Sequence, residues 1–294
     1  MSNSVRTMMP SDVPSAMELS TSAGWNQTAE DWRRVMQLSA SGCRCIEDAG
    51  KIVATTTLLH YGTSLAWIGM VLTRPEYRRQ GLAKRLMEDS IASAERRGIR
   101  TLKLDATDEG RPLYEELGFV VEETVERWGR DLKAVEVAED ISGASKEGAE
   151  SSSHAGAISG EHLALDMKAF GVSRKPLLDT LFASGRSDST AGGYVLSRPG
   201  RTAHSLGPCV ASSREGAEQL IATHIGRVKC RSDEFECSSS RNWYWDLLPT
   251  NSEAVRFAEE YGFTRRRILW RMRRGDAIEN NDAMVYAIAG FELG

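Results

Sequence analysis

Arg78-Arg79-Gln80-Gly81-Leu82-Ala83 lies where the hydrophobic period of the chain changes. Upstream, Lys51–His60 and Leu65–Thr73 read as two strands joined by a turn at Tyr61-Gly62-Thr63. Downstream, Ala83, Leu86, Met87, Ile91 and Ala94 recur at the spacing of an amphipathic helix that Gly98 can end. The six residues are therefore a strand-to-helix turn, and the first amides of the helix are free to meet an anion. Gly81 permits close approach and unusual backbone angles, Ala83 keeps bulk away, and Arg78 and Arg79 add positive charge. No Gly-Lys-Ser/Thr follows, so this is not a nucleotide P-loop, and one glycine does not make a dinucleotide fingerprint.

Farther out, Thr101–Leu104 reads as a short strand, Arg111–Leu117 as a short helix stopped by Gly118, and Phe119–Arg127 as a strand. The order β-α-β-α-β is expected to close a first domain. An internal repeat follows. Tyr114-Glu-Glu-Leu-Gly118-Phe119 returns as Ala258-Glu-Glu-Tyr-Gly262-Phe263, and Arg127 returns as Arg271 at the same offset. Val71 and Leu86 match Val210 and Leu220 at shorter offsets, so the second strand-to-helix turn is shorter, and the difference is regained at Cys230–Ser240, expected to be a surface loop. Residues 134–160, rich in Ser, Gly, Ala and Glu, have linker composition. The expected organisation is a first domain at 1–133, a linker at 134–160 and a related second domain at 161–294. Each is of the α+β class, a mixed, mostly antiparallel sheet flanked by helices.

The chain has 294 residues, 41% of them hydrophobic and 27% charged, with a formal net charge of -4. These are the proportions of a globular protein with two cores. The sequence pI near 5.9 does not favour nucleic acid as a partner, and Arg265-Arg266-Arg267 reads as a solvated strand edge. No apolar run approaches the ~20 residues of a membrane span, and no signal-peptide pattern is present, so no membrane partner and a cytoplasmic location are expected. Five cysteines at these spacings form neither a disulfide framework nor a zinc site, so no metal is expected.

The turn, with Trp67-Ile-Gly-Met-Val-Leu-Thr-Arg-Pro75 before it and Leu113-Tyr114-Glu-Glu-Leu-Gly118-Phe119 after it, resembles the GNAT superfamily of acyl-CoA-dependent N-acetyltransferases. Arg78, Gly81 and Ala83 fit that family's pyrophosphate loop. Residues 5–130 carry the resemblance closely. The second half, through Ala169-Phe170-Gly171, Gly193–Arg201 and Leu206–Ala211, looks like the C-terminal domain of a tandem, YitH-like subgroup. The resemblance implies acetyl transfer from acetyl-CoA to a primary amine, here expected to belong to a small molecule. Protein N-acetylation and a non-catalytic acyl-CoA sensor or scaffold are the alternatives, and the chain is expected to be a monomer or homodimer.

By that resemblance the cofactor contacts are Val71, Leu72 and Thr73 on the splaying strand, then Arg78, Arg79, Gln80, Gly81, Leu82, Ala83 and Lys84. Thr107 stands where many relatives carry a cofactor-contacting asparagine. Tyr114 matches the tyrosine beside the coenzyme sulfur, where a phenol of pKa ~10 can protonate the thiolate. For the general base the residues offer Asp105, Asp108 and Glu109, with Asp105 as the catalytic candidate and a water relay as an equal route. Trp25, Asn26 and Trp67 are candidate acceptor contacts, because an aromatic wall attracts an ammonium; core packing of Trp25 with Trp32 is the other reading. Tyr194, Arg198, Arg201 and Trp243-Tyr244-Trp245 either shape an interdomain acceptor cleft or belong to the core. With its short turn Ala211–Ala217 and with Ala258 in place of Tyr114, the second half is expected not to catalyse.

Overall fold

The computed structural model describes residues 4–131, 158–231 and 242–294. The expected linker at 134–160 and the expected loop at Cys230–Ser240 lie almost wholly outside the described residues.

The first half runs β1 (Val5–Thr7), α1 (Val13–Ser22), α2 (Ala29–Leu38), β2 (Arg44–Asp48), β3 (Lys51–Tyr61), β4 (Leu65–Thr73), α3 (Leu82–Arg96), β5 (Thr101–Ala106), α4 (Arg111–Glu116) and β6 (Val120–Arg130). The second runs α5 (Gly160–Phe170), α6 (Lys175–Ser184), β7 (Arg186–Thr190), β8 (Gly193–Arg198), β9 (His204–Ala211), α7 (Arg214–Arg231), β10 (Trp243–Leu247), α8 (Ser252–Glu260), β11 (Thr264–Gly275) and β12 (Val285–Ala287). Local chemistry explains the main boundaries. Thr28 and Asp31 cap α2 reciprocally, with the Asp31 amide donating to Thr28 Oγ1 at 3.3 Å and the Thr28 amide to Asp31 Oδ2 at 2.8 Å. Helix α3 buries Leu82, Leu86, Met87, Ile91 and Ala94, one apolar stripe, against the sheet.

The halves do not close separately. One sheet runs through both in the order β1-β2-β3-β4-β5-β11-β6-β10-β9-β8-β7, mostly antiparallel, with β4–β5 and β9–β10 parallel. The expectation that β6 closes the first domain on itself is therefore corrected. Strand β11 of the second half pairs with β5, from Trp270↔Ala106 to Gly275↔Thr101, and β6 is carried over to β10, from Trp243↔Arg130 to Leu247↔Glu126. Because the repeats are alike, each last strand fits the edge left by the other, and pairing both removes two open edges. The arginine run corrects in the same way. It begins an interior strand, with Arg265 held by Glu126 at 2.9 Å and Arg266 by Asp131 at 2.7 Å.

The repeated arginines lock the exchange. Arg271 holds Asp105 with two bonds, 2.9 and 3.1 Å, and Arg127 holds Asp246 with two, 2.7 and 2.6 Å. Each bond pair joins a strand of one half to a strand of the other. Residues 288–294 then cross back over the first half. The Trp67 indole donates to the Phe291 carbonyl at 2.9 Å, Tyr61 donates to the Leu293 carbonyl, and Arg174, bound to Asp166, donates to the Gly294 carbonyl at 2.9 Å.

Candidate active site

Strands β4 and β5 pair only at Leu65↔Thr101, Ala66↔Leu102 and Trp67↔Lys103. Beyond that rung they part, and the second half of β4 has no ladder partner on the β5 side. Its pairing with β3 also breaks, because the register slips between Thr55↔Leu72 and Thr57↔Gly69. Met70 at this bulge has φ 49°, left-handed geometry that a side chain adopts at a cost and that recurs at functional positions. Thr55 Oγ1 holds it in place through the Met70 carbonyl at 2.8 Å. The cleft is thus a wedge with main-chain groups of Val71, Leu72 and Thr73 along one wall.

At the wide end stands the strand-to-helix turn. Gly81 caps α3 with φ 76°, a left-handed angle that suits glycine, and a Cβ there would meet nothing within 4 Å. Among the described residues no side chain caps the helix. Among the described residues the amides of Gln80, Gly81, Leu82, Ala83 and Lys84 have no protein acceptor, whereas that of Arg85 donates to the Gly81 carbonyl at 3.1 Å. Arg78, Arg79 and Gln80 are exposed, and Leu82 is buried against Ile46, Val53, Ala54 and Leu86. Leu82 anchors the turn, and the free amides with two arginines make it an oxyanion cradle. Lys84 bridges to Glu116 of α4 at 2.5 Å.

Tyr114 lies on α4 beside the wedge, 8% exposed, its ring edge-on to Phe119 at 6.2 Å. Burial pushes its phenol well above the usual value, so it stays protonated at neutral pH. Its hydroxyl makes no hydrogen bond among the described residues. Thr107 accepts the Gly110 amide at 3.1 Å and fixes the turn into α4.

The opposite face of β4 is covered by the second half. There the C-terminal segment lies on Gly69, whose absent Cβ would come within 2.9 Å of Glu292. Glu292 is 5% exposed, takes a bond from Gln27 at 3.1 Å and faces Arg198 at 3.4 Å. Trp67 is 1% exposed under the Arg271 guanidinium, 4.8 Å from its ring. It borders a cavity of about 20 Å³ with Lys103, Phe170, Arg271 and Asp282, room for one water.

Three sequence expectations are corrected on this face. The Asp105 side chain is fully buried, and burial raises its pKa against the pull of Arg271; each of its oxygens accepts a bond from that arginine, and this closed-off pair makes it a strand-locking group. Asn26 is an interdomain clip. Its Oδ1 accepts the Thr202 amide and hydroxyl and the Ala203 amide at 2.8–3.0 Å, and its Nδ2 donates to the Ala203 carbonyl at 3.0 Å. Trp25 packs against the core and accepts Arg201 at its carbonyl. Asp108 accepts the Trp270 indole at 2.7 Å, and Glu109 is exposed beside it.

The second half repeats the wedge and fills it. Strands β9 and β10 pair at Trp243↔His204 to Trp245↔Leu206. β12 enters beyond that point, pairing Val285↔Val210 and Ala287↔Cys209, while the Ile288 amide donates to the Asp246 carbonyl at 2.9 Å. Ser213 takes the amides of Gly216 and Ala217, so this turn holds no comparable cradle. Tyr194, Trp243 and Trp245 are core residues, whereas Arg198 reaches Asp31 and Glu292 of the interface. His224 stands between Asp188 at 2.7 Å and Ser197 at 2.8 Å, the order of a hydrolase triad. All three are under 5% exposed, so this array is a core network. The C-terminal segment and its glutamate carried no local motif; the matched arginines at 127 and 271 were the one signal of how the halves join.

Comparison with known proteins agrees with this geometry. The acetyltransferase (GNAT) family matches residues 12–119, and a second acetyltransferase (GNAT) domain family matches residues 162–287. An uncharacterized N-acetyltransferase of Bacillus subtilis, YitH, is 27% identical over 216 residues, 71% of this chain and 73% of its own. Among solved structures, one from Pyrococcus horikoshii assigned as an acetyltransferase superposes with a TM-score of 0.82 at 19% identity over 100% of this chain and 97% of its own. A tandem GNAT protein from the clavulanic acid biosynthesis pathway gives a TM-score of 0.63 at 13% identity over 92% and 98%. These likenesses between structures concern the fold.

Proposed function

The chain belongs to the GNAT family of acetyltransferases, and from that premise we propose that its first half moves an acetyl group from acetyl-CoA to the primary amine of a small molecule. The observation that carries the reading is the wedge between β4 and β5, ending in a cradle of free amides and two exposed arginines. The amides of residues 80–84, with Arg78 and Arg79, bind the pyrophosphate. Main-chain groups of Val71–Thr73 on the side of β4 away from β3 hold the pantetheine arm and turn an N–H toward the thioester oxygen, where negative charge builds during attack.

The amine enters from the face covered by Trp67 and the C-terminal segment. It attacks the carbonyl carbon, the carbon–sulfur bond breaks, and Tyr114 donates a proton to the departing sulfur. With Asp105 held by Arg271, the proton lost by the amine leaves through water. Trp67 and Glu292, 1% and 5% exposed, leave no broad surface on this face for a folded protein, which favours a small acceptor. The second wedge is filled by β12, so one acetyl-CoA binds per chain.

Calorimetric titration of acetyl-CoA, followed by thiol release over a panel of amines, tests this. One site per chain, lost in Gly81→Glu while the fold persists by circular dichroism, is expected; two sites, or unchanged binding in the variant, would refute the placement.

A further inference from the structure

Past the end of β5 an open cavity of about 590 Å³ lies between the turn Thr107–Glu109 and the start of β11, Arg265–Ile268. That volume suits a small metabolite. Its walls differ in sign, with Asp108 and Glu109 on one side and arginines on the other. Arg265 and Arg266 are each held by a carboxylate. Arg267 is half-buried and makes no ion pair or hydrogen bond among the described residues, and the carboxylate whose charge reaches it is Asp246. The residue paired with it on β6 is Arg127, which occupies both oxygens of Asp246. Burial and the Arg127 charge work against the Arg267 cation, Asp246 offsets only part of that, and the pKa is lowered. A half-buried cation beside a second cation is an unsatisfied group, and an anion from outside would satisfy it.

Position connects this arginine with the acceptor. The ladder of β11 with β6 is regular from Arg267 to Arg271, so the two arginines share a face of the sheet. Arg271 stacks on Trp67 there. Arg267 lies four residues along, roughly 13 Å, toward the open end of the wedge. An amine held in the wedge beyond the Trp67↔Lys103 rung would therefore extend its far end toward Arg267.

We propose that Arg267 is a specificity residue that holds an anionic group, a carboxylate or a phosphate, at the far end of the acceptor amine. A guanidinium offers such a group two parallel N–H bonds. The inference rests on the amine-acetylating reading above and narrows its substrate class to amines that also carry an anion.

Two measurements on the full chain test it. In thermal unfolding, inorganic phosphate and acetate should raise the Tm of the wild type more than that of Arg267→Gln, with Arg267→Lys between them. Binding at the turn Arg78–Ala83 is common to all three proteins and cancels, so this increment is read whether or not acetyl-CoA binds. Equal shifts in all three would overturn the anion site. In calorimetry of the protein saturated with CoA, O-phosphoethanolamine is compared with ethanolamine, and 4-aminobutyrate and 6-aminohexanoate with alkylamines of equal length. The wild type should favour the anionic member at least tenfold, and Arg267→Gln should lose that preference; whether phosphate or carboxylate gains more identifies the group. No preference in the wild type, or a preference that survives in Arg267→Gln, would overturn the acceptor assignment. Failure of acetyl-CoA to bind at all would instead defeat the reading of the first half and leave the phosphate increment to decide the anion site.

Discussion

Replacing Arg271 by methionine tests the exchange of strands between the halves. Asp105 and Arg271 are buried, with side chains 0% and 6% exposed, and two bonds of 2.9 and 3.1 Å join them. Removing one partner of such a pair leaves an uncompensated buried charge and costs about 3–5 kcal/mol. In a chain of this size, where 1 kcal/mol shifts Tm by about 2–4 °C, the fall should be at least about 6 °C. The loss should also depend on pH. Burial already raises the Asp105 carboxyl above its ordinary 3.8, and Arg271 opposes that rise; without the arginine it rises further. A carboxyl whose pKa is higher folded than unfolded binds more protons when folded, so its contribution is best in acid and is lost as pH rises from the unfolded value through the folded one. Arg271→Met should therefore lag the wild type less at pH 5 than at pH 8. Asp105→Leu combined with Arg271→Met removes both charges and should recover most of the loss. Urea and thermal unfolding at the two pH values measure all of this. A single-variant loss below about 1 kcal/mol, a pH-independent deficit, or additive losses in the double variant would refute the account.

Tyr114→Phe should keep acetyl-CoA affinity by calorimetry and lower kcat by about 10²-fold; full activity would remove Tyr114 as the proton donor. Asn26→Ala leaves the amides of Thr202 and Ala203 without their acceptor and should lower stability by about 1–3 kcal/mol. Because Asn26 is a clip between halves and no cofactor contact, its acetyl-CoA Kd should not change; a large rise in Kd would contradict that assignment.

How much the sequence disclosed depended on the range of the interactions. The turn Arg78–Ala83 and helix α3 were legible because period, glycine and charge act over a few residues. Tyr114 was a candidate by its place in a motif, and its hydroxyl makes no hydrogen bond among the described residues. The partner of Asp105 was not legible, because Arg271 lies 166 residues away and reaches it only once β11 has crossed into the other half. Read alone, Asp105 is a carboxylate at a strand end and suggests a base; paired, its side chain is buried against Arg271 and joins two strands. Asn26 misled for the same reason. Next to Trp25, on the side that the first helices cover, a polar residue looks like an acceptor contact until Thr202 and Ala203 arrive from the second half.

The second half also bears on the first. Where β9 and β10 part, their main-chain groups must still find partners in a buried place, and β12 provides them through Val285, Ala287 and the Ile288 amide. Where β4 and β5 part, no segment of the described chain enters, and Met70 is held at a costly φ beside the gap. Two wedges of common origin thus differ in their occupant, and the filled one shows what the open one lacks: an extended chain that hydrogen-bonds along its length. A pantetheine arm, with its two amides in a linear run, meets that description. Once past the filled wedge, the chain lays Phe291 and Glu292 over Gly69 and Trp67. On the proposed reading the half whose own cleft is filled forms the acceptor wall of the other, and changes there should alter acceptor choice while acetyl-CoA binding stays unchanged.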